Sequence, residues 1–142
     1  MARTKVGGYW VEIDRPKGST KQMRTRNGSV VVTYPVDYGF FQQWVNPQDR
    51  EGADVFVGSE PDGLYGWFMK GTDYGPQWAP DEWKWYAALT HQEFRLLVDF
   101  WERQSRGLAR DYQSLGDADG LIFNLQQNCW RLEVQSHNLL MV

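Results

Sequence analysis

Short apolar stretches, none longer than an ordinary strand, alternate with glycine- and proline-marked turns through the first three quarters of the chain, and one amphipathic stretch follows them. The candidate strands are Tyr9 to Ile13, Val30 to Thr33, Asp54 to Val57, Leu64 to Met69 and Trp83 to Ala88. Thr90 and Glu93 have the spacing of a capping box. Phe94, Leu97, Val98 and Trp101 then recur at i, i+3, i+4 and i+7, and Gly107 is placed to end the helix. The tail predicts a late hairpin, Leu121 to Leu125 and Trp130 to Val134 around a Gln126 to Asn128 turn, with Cys129 filling it. Many short strands with one helix predict a mainly β (α+β) fold, a small barrel closed by that helix. At 142 residues the chain reads as one domain, and 42% apolar residues are enough for a core.

Charge narrows the function classes. Fifteen Lys and Arg against eighteen Asp and Glu give a net charge of −3, which argues against a histone-like or polybasic nucleic-acid coat. The lone Cys129 cannot make an intrachain disulfide, and neither a membrane-length apolar run nor a signal-type apolar core follows the charged N-terminal residues. These features predict a cytoplasmic protein with no membrane partner. The charge is unevenly placed: seven bases against two acids over residues 1–28, then eight acids against two bases over residues 46–82. Such a division suits a site for cations and phosphate together, and it equally suits two surfaces that pair with each other.

The densest acidic run is Asp49-Arg50-Glu51-Gly52-Ala53-Asp54, three acids in six residues leading into an apolar strand. Carboxylates this close repel unless cations or hydrogen bonds offset them, and Mg²⁺ (or Mn²⁺) is the simplest cation where acids meet a phosphorylated ligand. A solvated acidic loop would have the same spacing. Further on, Glu82, Lys84 and Tyr86 share one face of an extended strand and Trp83 and Trp85 the other, so a carboxylate and an ammonium project together. Asp73 and Asp81 flank this group. Glu12 shares a face with Trp10 and Asp14. His91 falls in the helix's first turn facing water, and no Cys/His pair suggests a nucleophile. Eight tryptophans exceed what a small core requires, which leaves room for a stacking or docking face.

In this order the residues resemble the soluble family I inorganic pyrophosphatases. Tyr34-Pro35-Val36-Asp37-Tyr38-Gly39-Phe40 is similar to that family's Tyr-Pro-x-Asp/Asn-Tyr-Gly-Phe/Tyr segment, and eleven residues past Tyr38 the stretch Asp49 to Asp54 resembles its D-G-D-P-x-D signature. Val11-Glu12-Ile13 resembles the opening strand, Lys21 falls at a phosphate-binding lysine, and Lys70-Gly71-Thr72-Asp73 with Glu82-Trp83-Lys84 resembles the later metal-binding acids and the acid-x-lysine strand. The matches cover residues 9–89. The chain is nearer still to the short, divergent pyrophosphatase-like domains of phage and mobile elements, through Arg15-Pro16-Lys17-Gly18-Ser19 and the turn after Val55-Phe56-Val57-Gly58.

The resemblance implies a closed five-stranded OB-like barrel with a flanking helix, and a phosphoanhydride hydrolase acting on pyrophosphate or a related substrate. It implies metal ligation by Asp49, Asp54, Asp73, Glu82 or Asp81, and Glu12, with Glu51 accepting a proton from water beside Asp49 and Tyr38. Lys21, Lys84, Tyr38 and Arg50 would bind phosphate. It further implies a host-cytoplasm location and, since bacterial relatives form hexamers, a homo-oligomer. Five positions depart from the family pattern: Glu51 replaces an aspartate, Arg50 a glycine, Gly52-Ala53 a Pro-apolar pair, and Met23 a glutamate. An arginine of the preceding hairpin has no counterpart unless Arg24 or Arg26 substitutes. Near the family's terminal Tyr-Lys pair only Arg103 and Arg106 offer cations, and residues 108–142 resemble nothing in it. The departures motivate an alternative, a catalytically inactive interaction module of the same fold that binds a protein or phosphorylated ligand. A single-strand-binding barrel is carried only by the Trp faces and the basic N-terminal segment.

Overall fold

A computed structural model describes residues 2–25, 28–72, 78–104, 108–135 and 138–141. Its strands are β1 (Arg3–Val6), β2 (Tyr9–Arg15), β3 (Thr20–Thr25), β4 (Gly28–Thr33), β5 (Asp37–Asn46), β6 (Glu51–Val57), β7 (Leu64–Thr72), β8 (Ala79–Leu89), β9 (Ala109–Ser114), β10 (Trp130–Gln135) and β11 (Asn138–Met141). Two α-helices, α1 (His91–Asp99) and α2 (Ala118–Asn128), complete a mainly β chain, and α1 runs on as a π-helical turn over Phe100–Gln104. Among the described residues no helix is long and apolar enough to cross a membrane.

One sheet carries the order β1-β2-β5-β6-β8-β7-β9, and β3 and β4 form a separate hairpin. All its pairings are antiparallel except β6 with β8. β5 serves three partners because it is long: Tyr38–Phe41 face β2, its ends face β6, and Trp44–Val45 face β10. The path runs from β1 to β9, and among the described residues no ladder joins those two ends. The closed five-stranded ring expected from the sequence is therefore not seen. Gly39 belongs to the tight β2–β5 contact, where a Cβ would overlap the Glu12 carbonyl oxygen.

The period of two explains the core. Val55 and Trp85 point to one face of the sheet and join Val11, Phe41, Trp44, Leu121 and Leu125 beneath α2. Their neighbours Phe56 and Tyr86 point to the other, joining Val32, Tyr34, Phe68, Leu97, Phe100 and Trp101 beneath α1 and the β3–β4 hairpin. The capping box is present: Glu93 N donates to Thr90 Oγ1 at 3.0 Å and Thr90 N to Glu93 Oε1 at 2.9 Å. Leu97 and Trp101 are buried and His91 is exposed, as their spacing predicts; Gly107 lies outside the described residues.

The tail departs from expectation. Leu121 to Leu125 is helical, because Asp117 caps Gly120 N at 2.9 Å and the i, i+4 pair Leu121 and Leu125 fills the space under the sheet. The C-terminal hairpin pairs β10 with β11 instead, and Cys129 is the C-cap residue of α2, packed against the core. Most tryptophans are also absorbed by packing: Trp44, Trp85 and Trp101 are buried and Trp67 stacks on Trp83 at 3.8 Å.

Candidate functional site

β5, β6 and β8 lie side by side, and on their α1-facing side they converge on Lys84. Its ammonium donates to Tyr38 Oη at 2.7 Å and to Asp54 Oδ2 at 2.8 Å, and it pairs with Glu82 Oε1 at 3.3 Å. Lys84 is only 6% exposed, and Tyr38 and Asp54 take two of the three N–H groups of its ammonium. Burial opposes the charge, but Tyr38, Asp54 and Glu82 outweigh it and hold the Lys84 pKa above its ordinary value. Tyr38 is held as a phenol, because burial raises its pKa by more than Lys84 lowers it. With its oxygen accepting from Lys84, its own proton remains available to a ligand. Its ring is fixed by Tyr34 at 5.4 Å and Phe56 at 4.5 Å.

Asp49 joins from the β5–β6 turn, and three linked contacts position it. Asn46 is 3% exposed; its Nδ2 reaches the Trp83 carbonyl at 3.4 Å, and its Oδ1 accepts from Gln48 N at 3.0 Å. Gln48 Oε1 accepts from Trp83 N at 2.8 Å, so the turn is pinned to the strand that bears Glu82 and Lys84. Carboxylate oxygens of Asp49, Asp54 and Glu82 consequently lie within 4.8 Å of one another. Glu82 Oε2 is buried and has no hydrogen-bond partner. Burial pushes the Glu82 carboxyl up, Lys84 pulls it down, and Asp49 and Asp54 push it up again. A proton or a cation is what makes the approach of Glu82 to Asp49 attractive.

A cavity of about 270 Å³ opens onto this group. Lys21 from β3, Tyr38, Lys70, Glu82 and Lys84 all line it, so three lysines drawn from separate strands meet there. The other expected site residues stand apart. Glu12 accepts from Gln42 Nε2 at 2.6 Å, two strands from Asp54 in the sheet. Asp81 is held by Lys70 at 2.6 Å. Glu51 and Arg50 are exposed and outside the cavity lining; Glu51 N donates to Asp49 Oδ1 at 3.0 Å. Arg50 has φ +62°, the left-handed region that favours glycine, so the turn makes a real backbone demand at this position. Asp73 and Arg106 lie outside the described residues. Asp37 of the Tyr-Pro segment is structural, accepting from Lys17 N at 2.8 Å.

Lys70, Asn46 and Gln48 received no role from sequence. The cross-strand pairing that brings Lys70 opposite Glu82, and the turn that folds Gln48 onto Trp83, have no short-range pattern that would have revealed them. No known protein family, curated protein or solved structure matches this chain.

Proposed function

We propose that this chain is a divalent-cation-dependent hydrolase of phosphoanhydride bonds, similar to the inorganic pyrophosphatases, on a sheet derived from their OB-like barrel. The observation that carries the reading is the buried Lys84, bonded to Tyr38 and Asp54 and paired with Glu82, beside a group of three convergent acids of which Glu82 lines a cavity that two further lysines also line. The donor set fits Mg²⁺ or Mn²⁺: all ligands are carboxylate oxygens, and the buried, unpartnered Glu82 Oε2 is the kind of atom a hard cation satisfies. Asp49, Asp54 and Glu82 would hold the ion, which when bound lowers the pKa of water and offsets the charge of a diphosphate.

The chain's own groups supply the rest. Lys21, Lys70 and Lys84 place positive charge against phosphoryl oxygens, and Tyr38 donates its phenolic proton as a hydrogen bond. Water adds to one phosphorus, the bridging P–O bond breaks, and two phosphate products leave. The proton released by the water passes to a phosphate product or to solvent, since Glu51 lies outside the cavity lining. No covalent intermediate is required.

A second reading is favoured by one observation: the Lys84 ammonium already compensates Asp54 and Glu82, as suits a fold kept for binding alone. Calorimetric titration of the whole chain with Mg²⁺ and Mn²⁺, with and without imidodiphosphate, separates the two. The hydrolase reading expects cation binding that the analogue tightens and that Asp49→Asn weakens at least tenfold, together with phosphate release from pyrophosphate. Absence of cation binding at millimolar concentration sinks it and leaves the binding module.

A further inference from the structure

β1 is the outer strand of the sheet and, among the described residues, pairs only with β2. Which of its main-chain groups face outward follows from the register. Ile13 N donates to Ala2 O at 2.8 Å, so these two form a hydrogen-bonded pair, and such pairs alternate along an antiparallel ladder. Thr4 with Val11 and Val6 with Tyr9 are the next two, as a two-residue turn with positive φ at both Gly7 and Gly8 also requires. The N–H and C=O groups of Arg3 and Lys5 therefore turn away from β2, and none of them meets a partner among the described residues.

The same two residues carry charge that the fold does not offset. By the period of two, Arg3, Lys5, Trp10 and Glu12 share one face of the hairpin. Both cations lie over the Trp10 ring, Arg3 Cζ at 4.2 Å and Lys5 Nζ at 4.9 Å from its centre. Glu12, opposite Arg3, accepts from Gln42 instead, so neither cation has a carboxylate partner among the described residues. A groove of about 300 Å³ runs along this edge. Thr4, Lys5, Val6 and Gly7 line it in succession, whereas a hollow on one face of the strand would touch only alternate residues. Val57, Gly58 and Ser59 line it as well, although β2 and β5 separate β1 from β6 in the sheet, so the sheet curls until its outer edge faces the end of β6. Val6, Val57, Ala88 and Ala118 make part of the lining apolar and continuous with the core beneath α2.

We propose that β1 is a docking edge for an extended acidic segment of a partner protein, which joins the sheet as one more strand. The outward main-chain groups of Arg3 and Lys5 pair with its backbone. Partner residues opposite Arg3 and Lys5 stand on the cationic face and are acidic, and the residue between them, opposite Thr4, faces the groove and is apolar. The occupant is thus a strand in which acidic and apolar residues alternate. A second copy of this chain is disfavoured, because two antiparallel β1 edges would set Arg3 and Lys5 against the same cations. β2 and β5 separate this edge from the Lys84 site, and the proposal does not rest on the phosphoanhydride reading.

The test is fluorescence anisotropy on the whole chain with a labelled Thr-Glu-Val-Glu-Val-Glu-Thr peptide, beside two controls. One control replaces each Glu by Lys; the other, Thr-Glu-Glu-Glu-Val-Val-Thr, keeps the charge and breaks the alternation. The expected result is binding of the alternating acidic peptide about tenfold or more tighter than of either control, a preference lost in Arg3→Ala/Lys5→Ala protein confirmed folded by circular dichroism. In the wild type, hydrogen exchange followed by NMR should show the Arg3 and Lys5 amides slowed by that peptide, with the Thr4 and Val6 amides, already bonded to β2, little changed. Absence of binding overturns the proposal, as does equal binding of the rearranged peptide, which would leave charge without strand pairing. Binding that leaves the Arg3 and Lys5 amides exchanging as before overturns it too. A dimer seen by sedimentation without peptide, with those two amides protected, would put a second copy on the edge and overturn the acidic partner.

Discussion

Replacing Lys84 with methionine keeps the bulk of an unbranched stem and deletes the ammonium, so it isolates the charge at the centre of the site. Asp54 and Glu82, with side chains 24% and 17% exposed, then lose their shared partner. The least unfavourable response is protonation of Glu82. Holding a carboxyl protonated at pH 7 against its ordinary 4.5 costs up to about 3.4 kcal/mol, at ~1.36 kcal/mol per unit. Loss of the hydrogen bond to Tyr38 adds ~1 kcal/mol. Lys84→Met should therefore be less stable by about 3–5 kcal/mol at pH 7, the range seen when one partner of a buried pair is removed. For a chain of this length that lowers the thermal midpoint by roughly 6–20 °C. At pH 5 the protonation cost falls to about 0.7 kcal/mol, so the deficit should shrink to roughly 2 kcal/mol. Urea unfolding of both proteins at the two pH values, without metal, reads this directly. Mg²⁺ at a hundred times the variant's dissociation constant should then stabilise the variant by ~2.7 kcal/mol, more than the same concentration stabilises the wild type. A variant as stable as wild type at pH 7, or with a deficit equally large at pH 5, would refute the reasoning.

Three further outcomes are expected. Arg50→Gly should stabilise the chain by ~0.5–1 kcal/mol in urea unfolding, because glycine adopts φ +62° without a Cβ penalty, and it should leave pyrophosphate affinity unchanged since Arg50 stands outside the cavity lining. Glu93→Gln should cost stability at neutral pH and little in acid: burial raises the Glu93 pKa, but hydrogen bonds from Thr90 and Ser59 more than reverse this. With a folded pKa below 4.5, the stabilisation is present above 4.5 and is lost as pH falls through the depressed value, which a pH series of melting curves will show. Cys129, its thiol pushed up to about 12 by burial and then by the Asp49 charge, should react with iodoacetamide at pH 8 far more slowly than free cysteine; labelling at the rate of free cysteine would contradict its placement.

What could be read in advance was local. The strands at Tyr9 to Ile13 and Trp83 to Ala88, and the capping box before the apolar stripe of α1, each depend on residues a few positions apart, and each is found in the structure. Leu121 and Leu125 misled because a five-residue apolar stretch beside a polar one fits a strand or a helix equally well; the Asp117 cap decides it. Barrel closure depends on which distant edges meet, and no short pattern encodes that. In the site, the shared face of Glu82 and Lys84 followed from strand period, whereas the bonds of Lys84 to Tyr38 and Asp54 join strands thirty or more residues apart. The turn pinned by Asn46 and Gln48, which carries Asp49 inward, was invisible because its partners are the backbone atoms of Trp83, more than thirty residues away in sequence.

The geometry of Lys84 also says how the two halves of a phosphoanhydride site would communicate. Lys84 donates to Tyr38 and Asp54 and is ion-paired with Glu82 at 3.3 Å, its longest contact, so a phosphoryl oxygen that draws on the ammonium competes first with Glu82. Displacement returns a full negative charge to Glu82, whose Oε2 already lacks a partner, and so raises the affinity of the acidic group for a cation. The reverse holds as well: a cation on Asp49, Asp54 and Glu82 weakens their hold on Lys84 and frees it to meet phosphate. Such coupling is reciprocal by linkage, so the factor by which imidodiphosphate tightens Mg²⁺ must equal the factor by which Mg²⁺ tightens imidodiphosphate. An ammonium that merely substituted for a metal would give the opposite sign, each ligand weakening the other, and the sign of that coupling therefore separates a working site from a binding fold stabilised by its own lysine.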